Sequence, residues 1–119
     1  MSYISGFVSP VPVKNKEAYR ALAQKMAPLF IEYGATRVFE TWGDFLPDGK
    51  TTDFKMAVKA ENDETVVFSW VEWPSGEIAK AAFDKMMKDP RMTPPGKDSP
   101  FDGKRMIFGG FEQILEVKR

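Results

Sequence analysis

Two short phrases pair a carboxylate with an indole: ETW at 40–42 and WVE at 70–72. Residues two apart on a strand share a face, so Glu40 would sit beside Trp42 and Glu72 beside Trp70. In one register of antiparallel neighbours the glutamates would oppose each other and the tryptophans likewise, which is unfavourable unless a cation or a shared proton intervenes. If that face lines a dry cavity, desolvation raises a carboxyl toward the range useful for general acid–base work. On a solvated face the same residues are ordinary surface glutamates. Arg91 and Arg105 are the basic candidates, since arginine near aromatic walls pairs a carboxylate or stacks on a ring. Their plainer role is a salt bridge with Asp89, Asp98 or Asp102.

A ligand-binding surface is suggested by Trp42 and Trp70 together with Phe108, Gly109 and Gly110 in the stretch RMIFGGFEQIL. Glycine weakens a strand, so two in succession call for a bulge, close packing, or room for a ligand. The methionines Met86, Met87, Met92 and Met106 read as filler of a core or a subunit interface rather than a cofactor site.

Composition removes whole classes of chemistry. The chain has 119 residues, with neither cysteine nor histidine. Thiolate nucleophiles, disulfides, Cys or His metal ligands and an axial haem histidine are therefore excluded, as is the commonest general base near neutral pH. Asp44, Asp48 and Asp53 lack calcium-loop spacing, so no metal and no cofactor is expected. Seventeen basic residues balance seventeen acidic ones, and a chain of zero net charge has no long-range attraction for nucleic acid or an anionic membrane. GDFLPDGKT ends like a phosphate loop, but the required first glycine falls on Asp44. KRMIFGGF has the aromatic–glycine character of an RNA-recognition strand but lies on the last strand rather than the third. No apolar run is long enough to span a bilayer and the N-terminus lacks a secretory pattern, so a cytoplasmic location is expected.

These residues must be positioned by few elements. A chain of this length forms a single domain, 1–119, that buries roughly two-thirds of the surface it exposes when unfolded. Alternation and the prolines Pro10 and Pro12 predict a strand over Tyr3–Val11. Asn15 is placed to cap a helix through Tyr33, with Tyr19, Leu22, Met26, Phe30 and Tyr33 at helical spacing, a kink expected at Pro28 and Gly34 as a left-handed stop. A strand over Ala35–Trp42 follows; Thr52–Ala60 reads equally as a short helix or an extended excursion. TVVFSWVEW (65–73) is the clearest strand, apolar enough to be covered on both faces. Ser75 caps a second helix through about Lys88, whose buried stripe is Ile78, Ala79, Ala82, Phe83, Met86 and Met87. DPRMTPPGKDSPFDG is an irregular loop of a length that often serves binding, and the last strand spans 104–117. The order β-α-β-β-α-β is the ferredoxin-like arrangement of the α+β class: a four-stranded antiparallel sheet with both helices on one face. Its strand aromatics have both parities, so the other face needs a cover. A second copy of the chain is the simplest one.

The phrases GFVSPVP, MAPLFIEYGATRVFETW, TDFKMAVKA, VVFSWVEWPS, KMMKDPRM and PFDGKRMIFGGFE together resemble the YbaA-like family of small bacterial proteins of unknown function. The resemblance runs over nearly the whole chain and implies a dimeric α/β barrel of ferredoxin-like subunits. It implies no activity. The leading expectation is a homodimer with an aromatic-lined cavity for a small apolar or aromatic metabolite. One alternative is a cofactor-independent monooxygenase-like enzyme acting on an electron-rich aromatic, with Glu72 or Glu40 as base and Arg105 or Arg91 stabilising an enolate. The other is a structural or regulatory interaction module.

Overall fold

A ten-residue strand at the start of the chain organises everything else in the computed structural model, which describes residues 2–92 and 99–119. This strand, β1 (Tyr3–Pro12), lies inside an antiparallel sheet between β3 (Glu64–Trp73) and β4 (Ile107–Glu112), and β2 (Arg37–Glu40) pairs with the far side of β3. The order β2-β3-β1-β4 is the ferredoxin-like one. Helices α1 (Lys16–Glu32) and α3 (Gly76–Met86) cover one face, and a one-turn helix, α2 (Phe54–Ala57), interrupts the long β2–β3 connection.

Local chemistry sets the helix ends. Ser75 accepts a hydrogen bond from the Ile78 amide at 3.2 Å and caps α3 as its sequence predicts. Asp53 does the same for α2, accepting from Met56 N at 2.7 Å and Gly49 N at 2.9 Å. That resolves the 52–60 segment in favour of a short helix, confined to Phe54–Ala57, and ties the neighbouring PDGKT to its start. Gly34, at φ +113°, ends α1: its amide donates to Ile31 O and that of Ala35 to Phe30 O, each at 3.0 Å. The expected Asn15 cap is not formed. Its side chain instead donates to Pro100 O at 3.0 Å, tying the start of α1 to the loop before β4. The helix continues through Pro28.

Two boundaries are shorter than expected. Strand β2 keeps four residues and β4 six, and the chain after Glu112 leaves the ladder. The proline-rich segment contains short 3₁₀ turns at Pro90–Met92 and Gly103–Arg105; Pro94, Pro95 and Asp98 lie outside the described residues.

Register assigns every strand residue to a face. Ser5, Phe7, Ser9 and Val11 of β1, and Val67, Ser69, Val71 and Trp73 of β3, point toward the helices. There Ala35, Val71, Trp73, Ala79, Ala82 and Met86 form the buried core. The expected α3 stripe is only partly sealed, because Phe83 and Met87 stay largely exposed at its rim. The face free of α1 and α3, here the helix-free face although Phe54 of α2 meets Phe68 edge-on there, carries Ile4, Gly6 and Val8 of β1, Phe39 of β2, Phe68 and Trp70 of β3, and Ile107, Gly109 and Phe111 of β4.

Candidate functional site

The core between sheet and helices is not completely filled. A cavity of about 440 Å³ lies above the centre of the sheet, roofed by Leu22, Ala23, Met26 and Phe30 of α1 and Ala79, Phe83 and Met86 of α3. Phe30 meets Phe7 and Trp73 edge-on, with ring centres 6.4 and 6.5 Å apart, while Phe7 stacks on Phe108. Five methionines line the walls: Met26, Met86, Met87, Met92 and Met106. Thioether side chains adapt their rotamers to an occupant at little cost, which suits a pocket for an irregular apolar body.

Against this apolar wall stands a small polar group. Glu40, at the end of β2, faces Ser69 across the strand pair. Tyr19 reaches down from the first turns of α1 and its hydroxyl donates to Glu40 Oε1 at 2.6 Å. The two residues form the partition between the cavity and an outer cleft lined by Lys16, Arg20 and Trp42. Glu40 therefore keeps water on one side and protein on the other. Glu40 is exposed at the outer cleft, but the protein packed on its cavity side pushes its carboxyl above the ordinary glutamate range, and the hydroxyls of Tyr19 and Ser69 oppose that shift without cancelling it. Burial, and then the charge of Glu40, push the Tyr19 phenol well above its own ordinary range. Tyr19 is thus a hydrogen-bond donor at any physiological pH.

Two further hydroxyls face the cavity from β1. Ser5 accepts from the Trp73 indole at 3.0 Å. Ser9 is buried and, among the described residues, its oxygen has no partner. A buried hydroxyl without a partner is uncommon in a folded protein, because it forgoes its bonds to water and gains none in return.

The residues singled out from sequence do not converge on this cavity. Glu40 is in it. Glu72 is on the opposite face, where it accepts from the Trp70 indole at 3.1 Å and lies 3.9 Å from Arg37. Arg37 pairs with Glu72 and Glu40 with Ser69, so the register that would oppose the two glutamates and the two tryptophans is not the one formed. Trp70 stacks on Phe39 at 4.5 Å on the helix-free face. Trp42 lies beyond the end of β2 against Tyr19, with the Lys16 ammonium 5.7 Å from its ring centre.

Both arginines are held by carboxylates. Arg91 binds Asp89 and Glu32. Hydrogen bonds from Arg91 and Tyr33 hold the Asp89 carboxyl well below the usual range, although that residue touches the cavity wall. Arg105 makes a two-pronged contact with Glu64, at 2.7 and 2.8 Å, and also binds Asp102. The expected partners Asp89 and Asp102 are present, but Glu32 and Glu64, distant in sequence, complete the pairs.

The adjacent glycines are explained by close packing, of aromatic rings rather than of a helix. Neither has a positive φ, and the β1–β4 ladder runs through them without a bulge, Gly109 facing Gly6 and Gly110 facing Ser5. Instead, rings lie on the bared backbone from both sides. The Phe111 ring crosses Gly109 and Gly6 on the helix-free face, 3.4 Å from where each β-carbon would stand. On the other face the Tyr3 hydroxyl would be 2.0 Å from a Gly110 β-carbon. Of the expected ligand-binding residues, Phe108 alone touches the cavity's aromatic wall, and it does so from outside. Tyr19, Ser9 and Ser69 were not anticipated. The available signal was three serines of one parity, Ser5, Ser9 and Ser69, inside otherwise apolar strands.

Residues 2–103 match the family described as "Protein of unknown function (DUF1428)". The chain is also 60% identical over 116 residues to the uncharacterized protein YbaA of Escherichia coli K12, covering 98% of this chain and 99% of that protein, and equally so to YbaA of Shigella flexneri. The chain belongs to this YbaA family. A crystal structure of a dimeric ferredoxin-like protein from an uncultured marine organism superimposes with a TM-score of 0.62 over 98% of this chain and all of that one, at 10% identity. At that identity the likeness establishes the fold and nothing about chemistry.

Proposed function

We propose that this member of the YbaA family is a small-molecule-binding protein that works as a homodimer in the cytoplasm, holding one apolar or aromatic metabolite in the cavity between sheet and helices of each subunit. The cavity carries this reading. Its volume lies in the range of small-molecule sites, and an apolar lining with a few convergent polar groups is what such sites have. Its polar groups are the carboxylates of Glu40 and Asp89 and the hydroxyls of Tyr19, Ser5, Ser9 and Ser69. Pairing of two helix-free faces would cover Phe68, Ile107 and Phe111, and the ferredoxin-like neighbour is itself described as dimeric.

The enzymatic alternative, cofactor-free oxygenation of an electron-rich aromatic, draws support from the raised Glu40 carboxyl beside Tyr19. It lacks a cation for the enolate: among the described residues no lysine or arginine lines the cavity, and Arg91 and Arg105 have carboxylate partners of their own. Binding without turnover fits the geometry better.

Native mass spectrometry of gently purified protein, compared with the same sample after denaturation, tests the reading. A released small molecule is expected from the parent, and less of it from Ala23→Leu, which fills the roof. Parent protein that carries nothing, and whose tryptophan emission is unmoved by apolar aromatic probes, would overturn it.

A further inference from the structure

The cavity has an unbalanced charge. Two carboxylates touch it, Asp89 and Glu40, and no basic side chain among the described residues does. Asp89 is neutralised by Arg91. Among the described residues Glu40 takes part in no ion pair; Lys16 and Arg20 face it only from the outer cleft, where Lys16 lies over the Trp42 ring. One oxygen of Glu40 accepts from Tyr19 and Ser69 faces the carboxylate from the next strand, an arrangement that fixes its direction without supplying a countercharge. Apart from the uncharged hydroxyls of Ser5 and Ser9, the remaining lining is apolar. An anionic guest would meet only repulsion here, whereas a cationic one would supply what the carboxylate lacks.

We infer that the occupant is an organic amine: its ammonium group sits at the cavity mouth on Glu40, and its aromatic or branched apolar body lies among Phe7, Phe30 and the methionines. The inference rests on the binding reading above and narrows it to one ligand class. The aromatic walls add to the selection, since ring faces attract ammonium groups and reject carboxylates. Ser9 extends it inward. A buried hydroxyl facing the cavity with no partner is satisfied by a polar substituent on the guest's body, so a hydroxylated arylamine fits better than a plain one.

Four probes of nearly one skeleton separate the possibilities: ethylbenzene, phenethyl alcohol, phenethylamine and phenylacetate, titrated by calorimetry into the parent dimer or monomer as it exists. Phenethylamine should bind about tenfold more tightly than the alcohol, the difference a charge-assisted bond makes, with phenylacetate weakest. Glu40→Gln should reduce the amine-to-alcohol ratio to near one. Tyramine should bind the parent more tightly than phenethylamine, and Ser9→Ala should abolish that gain. If ethylbenzene and the alcohol bind but the amine binds no better, or if phenylacetate binds best, the amine assignment is wrong while the cavity reading stands. If Glu40→Gln keeps the amine preference, the assignment is again wrong. If none of the four binds, both fall. Should Glu40→Gln prove poorly folded, the ranking of the four probes on the parent decides by itself.

Discussion

A carboxyl held above its usual range makes a prediction about stability that ordinary surface glutamates do not. Protein packed on its cavity side raises Glu40, so the folded chain holds that proton more tightly than the unfolded one. The linkage sign then makes Glu40 destabilising above the folded-state value, with the loss setting in as pH rises from the unfolded value of about 4.3. Glu40→Gln removes the titration. It should melt at or above the parent temperature at pH 7, and the difference should vanish below about pH 4, where both side chains are neutral. A variant less stable than the parent at pH 7 would show that the ionised carboxylate is structural. The glycines give a contrast at the same scale. Gly109→Ala places its methyl in ordinary contact with Phe111, so its melting should move by less than about 0.5 kcal/mol. Gly110→Ala collides with the end of Tyr3, which must swing off its site between β4 and Gly76, at a cost of about 1 kcal/mol. Equal melting curves for the two would contradict the idea that rings, not backbone conformation, require these glycines.

Among the elements, the junction of β3 with the turn before β4 depends on one arginine. Arg105 reaches from the 3₁₀ turn to Glu64 at the start of β3 and to Lys59 O in the preceding loop. Glu64 is almost fully covered, and hydrogen bonding from Arg105 holds its carboxyl below the ordinary range. Its contribution is therefore present above the unfolded-state pKa and is lost as pH falls through the lower folded-state value. Arg105→Ala strands that carboxylate. A cost of roughly 2–3 kcal/mol is expected, toward the lower end for a broken buried pair because Arg105 itself keeps some solvent, and Glu64→Gln in the same chain should restore part of it. Denaturant melts of the single and double variants measure this. The elements themselves were legible in the sequence, since β3, α1 and α3 announce themselves by apolar period and by Ser75 and Gly34 at their ends. The site was legible in part. Glu40 stands out by its neighbour Trp42, yet whether it or Glu72 faces the helices depends on register, which alternation alone does not set. Tyr19 reads only as one more apolar-stripe residue of α1, and the partners Glu64 and Glu32 are brought to their arginines by tertiary contact rather than by spacing.

At the scale of the whole molecule, the helix-free face is the feature that an isolated chain leaves unresolved. Phe68, Ile107 and Phe111 are 42%, 48% and 59% exposed, and they adjoin Phe39 and Trp70 in one apolar field. Patches of that kind on a sheet face are covered in stable proteins. At its rim Arg37 and Glu72 stand together as a partly exposed ion pair. The parent is therefore expected to sediment at twice the mass of one chain at micromolar concentration. Phe68→Lys puts a charge into the middle of the field, where its burial against a partner would cost several kcal/mol, and should shift the protein to monomer while its far-ultraviolet dichroism stays unchanged. Ile31→Lys, an exposed apolar residue on α1 behind the sheet, is the control and should leave the dimer intact. Sedimentation of the three proteins distinguishes the outcomes. A monomeric parent, or a Phe68→Lys variant as dimeric as the parent, would mean that the aromatic face is not where the subunits meet.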